Sequence, residues 1–342
     1  MRFLQLALFA PGLAAVFVAA IPAATKRASV CNGQAELCNR SYGNVTFMGG
    51  MLFYVSPKRE LSLTLRHIAH DSFAFSSDPL ALARDQEVNI PSQLNLGVRL
   101  LQAQAHVYVA HSLRNPHLTP QRRVVITAFS ISATPALFDG GTVQAYLTTV
   151  NTWIRANPNE VLTFIFTNPD GASLPDLWDP AFQDSGIADL LYTPPTVPMK
   201  QSDWPTLGDL IDSGKRIITF LDAGADTDRS VPYILPEFEM VWETPFSVTN
   251  SSFPCSVDRI AGPLATTDHM YMINHSLNIN LLDTGVIISD PEDASTTNGV
   301  ASILANAAGC EPLSAGRAPN FVLLDFVNLG TGKQAVDQLN GF

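Results

Sequence analysis

Charge and cysteine are both scarce in this chain. Only 15% of its 342 residues are Asp, Glu, Lys or Arg while 46% are hydrophobic, which excludes a disordered chain and predicts a large buried core. Basic residues number 20 against 31 acidic ones, a formal net charge of −11 at pH 7, so no broad attraction to nucleic acid or an anionic membrane is expected. The four cysteines, Cys31, Cys38, Cys255 and Cys310, do not have the spacing of a zinc site and suit two disulfides in a secreted protein. Three pairings are open, and Cys31–Cys38 with Cys255–Cys310 is the favoured one. Repeats, low-complexity tracts and dividing linkers are absent, so 28–342 reads as one domain.

The N-terminus offers Arg2, an apolar run over 3–20 broken by Pro11 and Gly12, and then Ala19, Ala20, Ala23 and Ala24. That is the plan of a secretory signal peptide, expected over 1–24, and the helix-breaking pair argues against a membrane anchor. Glycosylation sequons at Asn39, Asn44, Asn250 and Asn274 fit secretion to the extracellular space or cell wall. No apolar tail follows Phe342, so no lipid-exchange anchor is expected.

Beyond the leader, short apolar runs at 98–103, 161–167, 217–222, 239–242, 270–274 and 320–326 alternate with helical stretches. This is the signature of βα units, and the near-continuous apolarity suits strands buried on both faces. Helices are expected over 142–157, from 204 to about Gly214, and over 295–308 and 333–339. Several strands end on polar groups: Thr167-Asn168, Asp222, Glu243, Asn274-His275 and Asp325 with Asn328. In an α/β barrel the carboxyl ends of the strands form the active face, which makes this set a candidate site.

One motif carries chemistry on its own terms. Ala69-His70-Asp71-Ser72 sets a histidine beside a carboxylate, a general base with an orienting partner. Its context is more specific. The stretch from Cys31 to Gly49, the Ala-His-Asp-Ser motif, and Gln93-Leu94-Asn95-Leu96-Gly97-Val98-Arg99-Leu100-Leu101-Gln102-Ala103-Gln104 together resemble fungal secreted phosphatidylinositol-phospholipase-C-like proteins. The likeness continues in order through Asn157-Pro158-Asn159-Glu160-Val161, Trp204-Pro205-Thr206-Leu207, Val241-Trp242-Glu243-Thr244-Pro245 and Phe321-Val322-Leu323-Leu324-Asp325-Phe326.

The resemblance implies an α/β fold, a distorted TIM-type (β/α) barrel, and a phosphoric diester hydrolase or lyase of the phospholipase C class. It implies His70 as the base that activates the inositol 2-hydroxyl, Asp325 orienting it, and Asp71 near a second histidine that protonates the departing diacylglycerol. Two stretches depart from the pattern, 50–68 and 107–136, and are read as retained intron or misplaced splice sequence, or else as loop insertions. His106, His111 and His117 do not sit in the second histidine's motif. Gln102 and Gln104 stand where relatives carry a phosphate-neutralising arginine or acidic calcium ligands, so no cofactor is required by the sequence and a calcium site would lack its usual ligands. Arg99, Gln102, Gln104, Glu243 and His275 are the expected substrate-binding residues. A phospholipid or other small phosphodiester is the expected partner, with transient contact at a membrane surface and no nucleic acid. The alternative is a catalytically inactive barrel that binds inositol phosphates, glycans or a protein.

Overall fold

A computed structural model describes residues 27–50, 84–110, 121–128, 138–280, 283, 285 and 287–342. The expected leader and the His70-Asp71 motif lie outside the described residues. In chain order the strands are β1 (Phe47–Gly50), β2 (Val98–Ala110), β3 (Gln121–Ala128), β4 (Phe138–Thr142), β5 (Leu162–Thr167), β6 (Ile217–Leu221), β7 (Ile234–Pro236), β8 (Val241–Glu243), β9 (Met270–Asn274), β10 (Asn278–Asn280), β11 (Ile287–Ser289) and β12 (Phe321–Leu324). Eight of them form a parallel sheet in the order β7-β6-β5-β2-β1-β12-β9-β8, the α/β arrangement expected. Its two edge strands, β7 and β8, are consecutive in the chain and joined by a short turn in which Met240 and Val241 both donate to the Glu237 carbonyl.

The helices follow local signals. Helix α1 (Ile90–Asn95) is capped by Asn89, and α2 (Val143–Ala156) by Thr142, whose hydroxyl accepts from Ala145 N. Val143, Tyr146, Leu147, Val150 and Ile154 bury one face of α2. After α3 (Asp179–Asp184), Thr206 caps α4 (Leu207–Asp212). The helix expected over 295–308 is two helices, α5 (Ala294–Thr297) and α6 (Val300–Cys310). The break falls at Asn298-Gly299, where the Asn298 amide is drawn off to the carbonyls of Asp325 and Phe326. Helix α7 (Gly332–Leu339) closes the chain's order of elements.

The atypical 107–136 stretch contributes secondary structure of its own. β2 runs on past the barrel to Ala110 and pairs antiparallel with β3, from Ala105↔Ile126 to Ala110↔Gln121, and β3 pairs in turn with β4. The barrel strand therefore grows into a β-ribbon before α2 begins.

Alternation along the strands separates two cores. Leu101, Phe164, Phe166, Leu221, Trp242, Tyr271, Val322 and Leu324 face outward and pack with Leu147, Val150 and Ile303 of the helices. Trp242 lies stacked on Tyr271 with ring centroids 4.6 Å apart, a core role. Phe47, Leu100, Ile165, Ile218, Phe220, Leu235, Met272, Phe321 and Leu323 face inward, floored by Tyr42, Trp204 and the Cys31–Cys38 disulfide. Each large apolar side chain buried this way contributes about 1.5–3 kcal/mol. The inner layer is tight at Gly49, where a Cβ would meet Leu100 and Leu323 side-chain carbons at 2.8 Å.

Candidate active site

The inner face changes character along its length. Following the same alternation past the apolar layer, β2 presents Gln102 and Gln104 after Leu100, β5 presents Thr167 after Ile165, and β6 leads through Phe220 to Asp222. In step, Leu235 is followed by Glu237, Val241 by Glu243, Met272 by Asn274, and Leu323 by Asp325. The barrel is thus oil-filled at the amino ends of its strands and polar at their carboxyl ends, where enzymes of this architecture keep their chemistry.

The most concentrated charge lies on the β6 to β9 side. Arg259 is ion-paired with Glu243, which is fully buried, and its guanidinium lies over the rings of Phe246 and Phe238 at 4.7 and 5.0 Å. Asn274 Nδ2 donates to Glu243 Oε2 at 3.3 Å and to the Thr244 carbonyl at 2.7 Å. Burial first, and then the charge of Glu243 and a hydrogen bond with it, push the Glu237 carboxyl well above the usual range. Glu237 therefore holds its proton more tightly than an exposed carboxyl does, beside the Glu243–Arg259 ion pair. Asp222, partly exposed at the mouth, is pushed up to about 6, chiefly by burial, although its Oδ1 accepts from Asn168 N at 2.7 Å.

Asp325 stands next to that side, at the exit of β12, which pairs with β9. On its other flank Gly50, the last residue of β1, pairs with Leu324, so Asp325 lies beside the exit of the strand whose sequence leads on toward His70. It is 4% exposed, and Ser289, at the end of β11, donates to its carboxylate while also lying 3.0 Å from Asp85 Oδ1. Its backbone is pinned as well: Asn298 donates to its carbonyl at 2.8 Å, and Phe326 N donates to the Asp85 carbonyl at 2.7 Å. Phe326 follows in the left-handed region at φ +46°, a strained conformation for an aromatic residue of the kind found beside functional groups.

A histidine–carboxylate pair that the motif reading passed over stands above β2. His106 continues the inward series Leu100, Gln102, Gln104, and its Nδ1 lies 3.0 Å from Asp170 Oδ2, which also accepts from Val107 N at 2.9 Å. Asp170 comes from the turn after β5, so the pair joins the part of β2 beyond its pairing with β5 to the exit of β5. The histidine keeps 21% of its side-chain surface exposed. Period-two alternation from Leu100 was the signal that would have found it; nothing in the local sequence points to Asp170.

Other expected site residues are placed elsewhere. Arg99 lies at the amino end of β2, donating Nε to Glu160 at 2.7 Å and Nη1 to the carbonyls of Leu94 and Val98, which makes it a tie at the floor and not a ligand for substrate. His275 is fully buried behind the barrel wall, its Nδ1 3.0 Å from Asn306 Oδ1, its Nε2 2.9 Å from the Thr297 carbonyl, and its ring 4.1 Å from that of Phe253. Burial pushes its pKa down, and it packs rather than faces the mouth. Asn274 is 2% exposed with its amide nitrogen committed to Glu243 and Thr244, so the folded site has no room for a glycan, whereas Asn39, Asn44 and Asn250 are exposed. Cysteines Cys31–Cys38 and Cys255–Cys310 are bonded. Among the described residues no group of three His, Cys, Asp or Glu side chains is arranged to hold a metal ion, and no helix is long and apolar enough to cross a membrane.

Known proteins match this chain over most of its length. A phosphatidylinositol-specific phospholipase C from Staphylococcus aureus superposes with a TM-score of 0.51 at 12% identity, covering 86% of this chain and 92% of that one, which bears on fold alone. The PI-PLC X domain-containing protein 1 of Arthroderma benhamiae is 36% identical over 334 residues, 96% of this chain and 94% of the relative. A protein of the same organism named as an uncharacterized secreted protein is 34% identical over 90% of this chain, which spans 62% of that relative's length. The model of the PI-PLC X family matches residues 65–340, and the chain belongs to that family.

Proposed function

We propose that this chain is a secreted phosphodiesterase of the phospholipase C class, cleaving the bond between glycerol and phosphate in inositol lipids or the equivalent bond of related small phosphodiesters. His70 takes the proton of the inositol 2-hydroxyl, that oxygen attacks phosphorus, the bond from phosphorus to the glycerol oxygen breaks, and an acid returns a proton to the departing oxygen. Asp325 orients His70, His106 held by Asp170 serves as the acid, and Asp71 contributes to the acid's surroundings. Glu243 with Arg259 offers an acceptor and donor pair for head-group hydroxyls, and Gln102 and Gln104 supply amide donors on the phosphate side. The observation that carries this reading is the buried, doubly anchored Asp325 at the exit of β12, beside that of β1.

The β2 donor set does not fit the calcium of related enzymes. Two amides replace its acidic ligands, and the Asp222, Glu237 and Glu243 carboxyls gather around Arg259 instead. The same two amides favour the second reading, an inactive barrel that binds phosphorylated ligands, because they bring no positive charge to the phosphate.

The test uses vesicles containing phosphatidylinositol and a small phosphodiester with a nitrophenol leaving group. The wild-type protein is expected to cleave both, His70→Ala neither, and His106→Ala to lose about 10²–10⁴-fold on the lipid but far less on the nitrophenyl ester, which departs without an acid. Failure of the wild-type protein to cleave either substrate, with or without calcium, overturns the enzymatic reading in favour of the binder.

A further inference from the structure

The floor of the barrel, at the end away from the site just described, holds a polar cavity of about 290 Å³. Two arginines line it, Arg40 ahead of β1 and Arg317 ahead of β12, with the amides of Asn44, Gln201 and Asn320. Among the described residues no carboxylate lines it. In a chain of net charge −11 that is unexpected. Arg27, Arg84, Arg99, Arg155, Arg229 and Arg259 each meet a carboxylate. Arg216 spends its donors on the carbonyls of Ile154, Asn157 and Glu160. Arg40 and Arg317 have no carboxylate partner among the described residues, and they share one cavity.

Each of the two commits part of its guanidinium to structure and leaves the rest. Arg40 Nη1 donates to the Asn340 carbonyl at 2.8 Å, leaving Nε and Nη2. Arg317 donates Nε to the Ser314 carbonyl at 3.0 Å and Nη2 to the carbonyls of Thr267 and His269 at 3.0 and 2.9 Å. Its Nη1 is buried with no acceptor among the described residues. Asp268 is felt electrostatically by Arg317 but is itself bonded to Lys200 at 3.0 Å. A fork of donors without an acceptor is the complement of a phosphate oxygen pair, and surrounding amides suit hydroxyl groups. The volume lies at the small end of ligand pockets.

We infer that this floor cavity is a second binding site, taking the phosphate of a small phosphorylated polyol between Arg40 and Arg317. It is independent of the catalytic reading, since no residue is shared with the mouth of the barrel. The phosphate can arrive free or on a lipid head group, and the experiment separates the two.

Calorimetric titration of the full-length secreted protein, in an Asn44→Gln background so that no glycan sits at the rim, uses inorganic phosphate and glycerol 3-phosphate, with sedimentation on phosphatidylinositol vesicles in parallel. Binding at a Kd of about 1 mM or tighter is expected. Arg40→Gln should weaken it about tenfold or more, as should Ala318→Glu, which sets a carboxylate at an exposed lining position without disturbing Arg317's ties. His70→Ala should leave it unchanged, and Ala318→Glu should leave phosphodiester turnover unchanged. The same losses seen only on vesicles assign the site to lipid-borne phosphate. No binding in either arm, or binding indifferent to both floor variants, overturns the inference.

Discussion

Glu237 and Glu243 are the same residue type on facing edge strands, yet they are expected to respond oppositely to the same change. Glu237→Gln replaces a carboxyl whose burial favours its protonated form by an isosteric amide, so thermal stability should move little. Glu243→Gln strips Arg259 of its counterion in a mostly buried setting and should cost about 3 kcal/mol, the low end for a broken buried pair because Arg259 keeps some solvent contact. Thermal unfolding of the two variants side by side checks this; equal losses would mean that Glu237 carries charge. Asp222 provides a pH-dependent counterpart. Its folded-state pKa of about 6 lies above that of an exposed carboxylate, so the native state takes up the proton first as pH falls. Stability should therefore rise on going from pH 6 to pH 4, and Asp222→Asn should be stabilising at pH 7 with little effect at pH 4. A variant stabilised equally at both pH values would show that ionisation of Asp222 is not the source.

Strand ends are where sequence reading succeeded and also where it stopped. Asp222, Glu243 and Asp325 were legible because each ends a clear apolar run, and the core strands were legible for the same reason. Glu237 was not, since β7 is three residues long and ends in proline, too short for a pattern. Arg259 and Asp170 lie in loops whose partners are 16 and 64 residues away, and no local periodicity encodes such contacts. His275 fits the strand-end rule in sequence but not in space, being turned behind the wall, while Arg99 stands at the start of β2, where sequence also put it. The loop bearing Arg259 is fastened to α6 by Cys255–Cys310, which closes a separation of 55 residues. Replacing both cysteines by alanine should cost about 2–5 kcal/mol. Because Arg259 pairs from that loop, head-group selectivity should suffer along with Tm; a Tm loss with unchanged kinetics on the lipid would show that the loop holds its place without the bridge.

At the scale of the molecule, one alternating pattern builds both core and site: apolar residues fill the barrel from its floor, and the next residues of the same faces turn the carboxyl ends polar. The amino end is packed by the Cys31–Cys38 segment and Trp204, and the polar end is the one lined by Asp325, Glu243, Asp222 and His106. The chain belongs to the PI-PLC X family, and on the function proposed above His70 is the residue whose loss should abolish turnover. The most direct measurement is phosphorus NMR of phosphatidylinositol vesicles incubated with the protein and with its His70→Ala variant. The wild-type protein is expected to release an inositol cyclic phosphodiester, the product of attack by the 2-hydroxyl, and the variant to release none. An unchanged phospholipid signal with the wild-type protein, or equal product from both, would contradict the assignment.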